Sequence, residues 1–207
     1  MESKTVILAD GLFPSHEIPL RYLKSAGRIV CCDGAARSLL DFGLEPLAIV
    51  GDCDSLSPQI AEKYGDRIYR VEEQETNDLT KSVNWCVERN YRDLVILGAT
   101  GKREDHTIGN ISLLADYARK AEVIMVTDTG FIYPVLETSE FKSFPGQYIS
   151  IFSLDPETEV TSYGLKYPLK RRKLRSWWEA TLNECEGRSF RLEFRGGPLL
   201  LFMKFRD

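Results

Sequence analysis

The 207-residue chain is long enough for one large domain, or for one domain with a small companion. Its net charge of −4 argues against a nucleic-acid-binding surface, so we expect no nucleic-acid partner. The five cysteines form no Cys-x-x-Cys pair, and the N-terminal apolar run is too short for a signal peptide or a membrane span. We therefore expect a cytoplasmic protein with no membrane partner.

Short apolar runs alternate with helical patterns in residues 1–129. We predict strands at 5–8, 29–32, 48–50, 68–71, 94–97 and 123–126. We predict helices from a Ser15 cap to residue 26, and at 35–42, 58–64, 77–88 and 105–118. Strands that alternate with helices indicate a largely parallel sheet covered on both faces.

After about residue 129 the pattern changes to short strands joined by turns. We predict strands at 131–136, 141–144, 148–154, 160–163, 189–194 and 199–205. Pro145-Gly146 and Gly196-Gly197-Pro198 are typical of turns between strands. The expected fold class is thus an N-terminal α/β domain, residues 1–129, followed by a small all-β, sandwich-like domain, residues 130–207.

Two carboxylates, Asp52 and Asp54, follow the apolar run that ends at Gly51. Side chains alternate in an extended segment, so we expect both carboxylates to point the same way, just past the carboxyl end of a core strand. Like charges held this close favour a hard divalent cation between them. The alternative is a solvated turn in which one aspartate caps a helix.

Further charged residues stand at the ends of the other predicted strands, and they are Asp33, Glu75, Asp78, Arg103 and Asp105. If the sheet is parallel, these strand ends share one edge, and so many carboxylates there imply a metal ion. Helix capping is the alternative for Asp78 and Asp105, since each stands where a helix begins.

The loop from Gly98 to Arg103 places glycines and two cations between a strand and a helix, where phosphate oxygens can bind, although a plain tight turn also fits. We interpret His106 as a helix-start or core histidine rather than a zinc ligand. The basic cluster, residues 170–175, is expected to be a solvated loop. Trp177 and Trp178 fit the core, a subunit interface or a stacking platform equally well.

Five segments together resemble the ordered motifs of the thiamin pyrophosphokinase family. They are Asp33-Gly34-Ala35-Ala36, Gly51-Asp52-Cys53-Asp54-Ser55, Gln74-Glu75-Thr76-Asn77-Asp78 with Lys81, residues 98–106 with Asn110, and residues 164–169. The resemblance implies a nucleotide-binding α/β domain, a β domain and a homodimer with shared active sites. It also implies transfer of a pyrophosphoryl group from ATP to the hydroxyl of thiamin, with Mg²⁺, which yields thiamin diphosphate and AMP.

The resemblance also implies roles for individual residues. The metal ligands would be Asp52, Asp54 and Asp78, and these three with Arg103 and Asp105 would form the catalytic set. ATP would be bound by Asp33, Gly34, Lys81, Arg103 and Asp105. Gln74 would serve the thiamin side. We also hypothesise that Tyr167, with Asn183 nearby, lines the thiamin pocket across a subunit interface, because an aromatic face suits a cationic ring, although Tyr167 could equally pack in the β core. Either Asp54 or Asp78 would accept the hydroxyl proton.

The chain departs from the family pattern at several positions. Asn77 stands where threonine is usual, Glu75 replaces aspartate and Lys102 replaces glycine. Tyr167 replaces a common tryptophan, and Leu182-Asn183 replaces a Ser-Asn pair. The residues are also compatible with two other functions. One is a haloacid-dehalogenase-like phosphatase with Asp52 as nucleophile, and the other is a non-catalytic nucleotide- or thiamin-binding regulator.

Overall fold

The computed structural model describes residues 4–54 and 56–206, and these divide into two compact units between Asp128 and Thr129. Six parallel strands of the first unit form a sheet in the order β4-β3-β2-β1-β5-β6. The strands are β1 (Thr5–Leu8), β2 (Arg28–Cys32), β3 (Ala48–Gly51), β4 (Ile68–Arg70), β5 (Asp93–Leu97) and β6 (Glu122–Val126). The predicted parallel sheet is therefore confirmed.

Six α-helices connect the strands of this sheet in the described part of the first unit, and four of them make contacts with it. They are α1 (Glu17–Lys24), α2 (Ala35–Asp41), α3 (Pro58–Tyr64), α4 (Asp78–Glu88), α5 (Glu104–Ser112) and α6 (Leu114–Ala118). The Ser57 side chain caps α3, with Pro58 in its first turn, as the sequence predicts.

Two helix predictions were wrong. Helix α1 has His16 as its N-cap rather than Ser15, because the backbone N–H and hydroxyl of Ser15 donate to the carboxylate of Asp128. The predicted helix 105–118 is two helices, which meet at Leu113. The hydroxyl of Ser112 donates to the carbonyl of Gly109 near this junction and so competes with regular backbone bonding.

Eight strands of the second unit form two antiparallel sheets, in the orders β7-β14-β9-β12 and β8-β13-β10-β11. Their bounds are β7 (Gly130–Val135), β8 (Ser139–Lys142), β9 (Tyr148–Ser153), β10 (Glu159–Tyr163), β11 (Arg172–Lys173), β12 (Asn183–Glu184), β13 (Ser189–Arg195) and β14 (Leu199–Lys204). Ile151 and Leu201 of one sheet and Val160 and Leu192 of the other belong to one buried apolar cluster. This packing confirms the sandwich-like prediction.

The basic cluster is not a plain solvated loop, which corrects that expectation. Arg172 and Lys173 form β11, and this strand pairs with β10. Three of its cations lie against glutamates: Arg171 on Glu159, Arg172 on Glu179 and Lys173 on Glu157. The side chains remain exposed, but their positive charge is largely balanced.

Among the described helices, none has both the length and the apolar composition needed to cross a membrane.

Candidate active site

A cavity of about 330 Å³ opens where the loops after β1, β2 and β5 meet the first turns of α4 and α5. Its lining includes the charged residues Asp10, Asp33, Asp78, Lys102 and Arg103. The carboxyl ends of parallel strands thus gather these side chains at one edge of the sheet, as the sequence predicts.

Three carboxylates converge next to this cavity. Asp33, Asp52 and Asp54 each offer an oxygen atom, and these atoms lie within 4.8 Å of one another. This spacing suits a hard divalent cation, which takes several oxygen ligands. This group contains two of the predicted metal ligands, Asp52 and Asp54, together with Asp33, which was predicted to bind ATP; the third predicted ligand, Asp78, is not among the three.

The carboxylates after β3 converge through a turn rather than through an extended strand, so the predicted alternation was wrong. Cys53 has φ +61°, and its buried thiol donates to the carbonyl of Gly51. The N–H of Asp54 donates to Asp52 at 3.4 Å, which lowers the pKa of the Asp52 carboxyl. Burial raises the pKa of Cys53 to about 11, so the thiol stays protonated at neutral pH. Ser55, the last residue of this motif, lies outside the described residues.

Asp78 borders the acidic cluster through Gly51. A Cβ atom on Gly51 would lie 3.0 Å from Cβ of Asp33 and 3.1 Å from Oδ1 of Asp78. Asp78 also accepts a hydrogen bond from Nζ of Lys81 at 3.2 Å, and the lysine side chain is only 3% exposed. Lys81, predicted to bind the nucleotide, therefore holds Asp78 in place, and its charge also lowers the pKa of Asp52.

Asn77 is the N-cap of α4, which excludes the alternative that Asp78 caps this helix, whereas Asp105 accepts from the N–H of His106 in the first turn of α5 at 2.9 Å. The Oδ1 atom of Asn77 accepts from the N–H of Thr80 at 2.9 Å, and its Nδ2 atom donates to Oδ1 of Asn110 at 3.1 Å. Asn110 in turn donates to the carbonyl of Ala99 at 2.9 Å. This chain of hydrogen bonds links α4, α5 and the loop after β5 around the cavity.

The two cations of the cavity are each bonded to a carboxylate. Arg103 forms two hydrogen bonds with Asp105, of 3.0 and 2.5 Å, and these lower the pKa of Asp105 to about 2. Lys102 donates to Oδ1 of Asp10 at 2.8 Å. His106 is exposed in the first turn of α5, which agrees with a helix-start histidine and excludes a core position.

Of the three residues predicted to bind thiamin, only Gln74 belongs to the first unit. Its side chain is exposed, and it forms a hydrogen bond with Asp52 that contributes to the lowered pKa of that carboxyl. Gln74 therefore lies at the acidic cluster itself.

Tyr167 and Asn183 line a second cavity, of about 460 Å³, within the second unit. Asn183 is buried, and its amide bonds both the N–H and the carbonyl of Tyr167, at 3.1 and 2.8 Å. The tyrosine side chain is 61% exposed, which excludes the alternative that it packs in the β core. Trp177 and Trp178 are both exposed, and Nε1 of Trp177 donates to the carbonyl of Ser153.

Sequence reasoning did not assign a role to Asp10 or to the link between Asn77 and Asn110. Asp10 could have been found, because it follows β1 as Asp33 follows β2. The asparagine pair joins residues that are 33 positions apart, and no local pattern indicates such a bond.

A parallel α/β unit with an acidic cavity at its carboxyl edge, followed by an antiparallel sandwich, defines a class of two-unit proteins that bind small ligands at strand ends. Residues 20–126 match the thiamin pyrophosphokinase catalytic domain, and residues 130–202 match the thiamin pyrophosphokinase substrate-binding domain. The chain belongs to the thiamin pyrophosphokinase family.

Individual relatives agree with this assignment. The chain is 29% identical over 160 residues to thiamin pyrophosphokinase 1 of Caenorhabditis elegans, covering 70% of this chain and 65% of that protein. It is 30% identical over 146 residues to thiamine pyrophosphokinase of Bacillus subtilis, covering 66% and 68%. It also resembles the crystal structure of thiamin pyrophosphokinase from Geobacillus thermodenitrificans, with a TM-score of 0.78, 26% identity and coverage of 99% and 98%.

Proposed function

We propose that this protein is an ATP-dependent thiamin diphosphokinase, which transfers the pyrophosphoryl group of ATP to the hydroxyl of thiamin and releases AMP. The convergence of Asp33, Asp52 and Asp54 beside a cavity that also holds Arg103 carries this proposal. Pyrophosphoryl transfer needs positioning and charge stabilisation more than covalent chemistry, and a set of carboxylates and cations supplies both.

The donor set fits Mg²⁺, because it consists of carboxylate oxygens and Gly51 leaves open the space between Asp33 and Asp78. Asp52 and Asp54 would hold the ion, together with Asp33 or Asp78. When bound, Mg²⁺ would offset the negative charge of the phosphate oxygens. Arg103, oriented by Asp105, would bind phosphate oxygens, and Gly34 would allow the nucleotide close to the backbone. Asp54 or Asp78 would accept the proton of the attacking hydroxyl.

On the acceptor side, we propose that Gln74 and the exposed face of Tyr167 bind thiamin, with Asn183 fixing the backbone of Tyr167. An aromatic face suits a cationic ring. We further propose that the protein works as a homodimer in which both subunits contribute to each site. The five buried free thiols support a reducing compartment such as the cytoplasm.

Incubation with ATP, thiamin and Mg²⁺, followed by chromatography of the products, tests this function. We expect AMP and thiamin diphosphate in equal amounts, and both at a rate lower by at least about 100-fold from an Asp54→Asn variant. A haloacid-dehalogenase-like phosphatase would instead release inorganic phosphate, and a non-catalytic regulator would leave both substrates unchanged. Either of these results would overturn the proposal.

A further inference from the structure

Backbone hydrogen bonds join the loop after β1 to the loop after β5. The N–H of Gly11 donates to the carbonyl of Gly98 at 2.6 Å, and that of Leu12 donates to the carbonyl of Thr100 at 2.7 Å. A Cβ atom on Gly11 would lie 2.5 Å from the carbonyl oxygen of Thr100, and one on Gly101 would lie 2.7 Å from Cβ of Leu12. Glycine at these positions permits the close approach, so the backbone alone fixes how the two loops meet.

Asp10 of the loop after β1 and Lys102 of the loop after β5 both line the first cavity, and they form an ion pair. Nζ of Lys102 lies 2.8 Å from Oδ1 of Asp10, and the two side chains are 52% and 49% exposed. An ion pair this exposed adds little to stability, because water and salt screen it. Since the backbone already holds the loops together, the pair is not needed for that purpose.

The second cation of the cavity differs from Lys102 in its bonding. Arg103 engages Asp105 through two parallel hydrogen bonds, and this fork geometry fixes the guanidinium. Lys102 makes one hydrogen bond, to Asp10, and its aliphatic side chain is flexible. Its ammonium group can therefore exchange one anionic oxygen for another with little rearrangement.

We propose that Lys102 binds a phosphate group of the nucleotide, and that this phosphate displaces Asp10, which is the counter-ion of Lys102 when no nucleotide is bound. This inference rests on the proposed function, since it requires a nucleotide in this cavity. It has a consequence that an ordinary surface ion pair lacks. Removing the charge of Lys102 weakens nucleotide binding. Removing the charge of Asp10 strengthens nucleotide binding, but only in a protein that still has Lys102.

The test is isothermal titration calorimetry of the full chain with α,β-methylene-ATP and Mg²⁺, an analogue whose α–β bridge is not cleaved. We expect Lys102→Gln to weaken binding about tenfold, the usual scale for one charge-assisted hydrogen bond. Lys102→Arg should retain affinity, and Asp10→Asn should tighten binding. The matched controls are Lys4→Gln and Asp93→Asn, which break an ion pair of 3.1 Å and similar exposure outside the cavity lining.

The double variant Asp10→Asn with Lys102→Gln separates displacement from simple repulsion between Asp10 and phosphate. If Asp10 acts through Lys102, the double variant binds like Lys102→Gln alone; tighter binding than that would overturn the proposal. Equal weakening of nucleotide binding by Lys102→Gln and Asp10→Asn would show that the ion pair has a structural role. Unchanged affinity in both variants would show that the ion pair has no role in binding. Either result would contradict the proposal. If the unaltered protein binds no analogue, the proposed function fails and this inference fails with it.

Discussion

Gly51 lies directly against the carboxylate of Asp78, so that a Cβ atom at position 51 would be 3.1 Å from Oδ1 of Asp78. Gly51 ends β3 and Asp78 begins α4. The missing side chain therefore lets carboxylates from the end of β2, the turn after β3 and the start of α4 share one edge of the sheet. A metal site built from these carboxylates depends on this glycine as much as on its ligands.

Gly51→Ala should impair the site more than the fold. The added methyl must displace Asp33 or Asp78, which lie 3.0 and 3.1 Å from its position, at a cost of about 1–3 kcal/mol in the free energy of unfolding. We expect weaker Mn²⁺ binding, measured by electron paramagnetic resonance, and lower turnover. Gly65→Ala is the control, since a Cβ there meets no atom within 4 Å. Unchanged Mn²⁺ affinity in Gly51→Ala would contradict the proposed site.

Asp54→Asn should lower turnover by about 10²–10³-fold or more, the scale for losing one essential electrostatic group, while the thermal unfolding midpoint changes little. The physical reason is the loss of one charged oxygen ligand from the acidic cluster. The measurement is AMP formation at saturating Mg²⁺. Asp41→Asn, which removes an exposed carboxylate bonded to Arg37, should leave the rate unchanged. A normal rate for Asp54→Asn would rule out its metal role.

The carboxylate of Asp128 should stabilise the fold in a pH-dependent way. Burial raises its pKa, but hydrogen bonds from Ser15 and His16 outweigh burial and lower the pKa overall. A lowered pKa in the folded chain means that this stabilisation is present above the unfolded pKa, about 4, and is lost as the pH falls through the folded value.

Asp128→Asn should therefore lower the free energy of unfolding by about 1 kcal/mol at neutral pH, the scale for a capping bond, and by less below about pH 4. Urea unfolding of both proteins across this pH range measures the difference. Ser15→Ala removes only the hydroxyl donor and should give a smaller effect with the same trend. A difference that stays constant down to pH 3 would contradict the assignment.

Tyr167→Ala should raise the Michaelis constant for thiamin and leave that for ATP nearly unchanged, because its exposed ring offers an aromatic face worth about 0.5–2 kcal/mol to a bound cation. Tyr148→Ala, another exposed tyrosine of the second unit, is the control. If subunits share sites, mixing Tyr167→Ala with Asp54→Asn should restore activity in heterodimers. Heterodimers that form but stay inactive would place the whole site within one chain.

Neutralising Lys170 and Arg171 together should change activity less than about tenfold, because exposed ion pairs contribute little. Arg171 already bonds Glu159, and the neighbouring cations bond Glu179 and Glu157. Steady-state kinetics of the double variant measure this. A large loss of ATP affinity would show instead that the basic cluster contacts phosphate.

The sequence by itself determined the elements whose signals are local. Strand β1 was predicted at its observed bounds, since a short buried apolar run between turns needs no distant partner to be recognised. The Ser57-Pro58 start of α3 was also predicted, because a side-chain cap acts within three residues. The clustering of acidic residues followed from a general rule, namely that parallel strands end at one edge.

Only the tertiary structure decided features that depend on residues far apart in the chain. Asp128 accepts a hydrogen bond from the hydroxyl of Ser15 across 113 positions, and helix α1 therefore has His16 as its N-cap. The tertiary fold also decides that the side chain of Lys81 is buried, with its Nζ atom 3.2 Å from Oδ1 of Asp78. Lys102 meets Asp10 across 92 positions because glycines let two loops touch. Local sequence patterns do not predict such pairings, because the two residues become neighbours only when the parallel sheet brings its loops together.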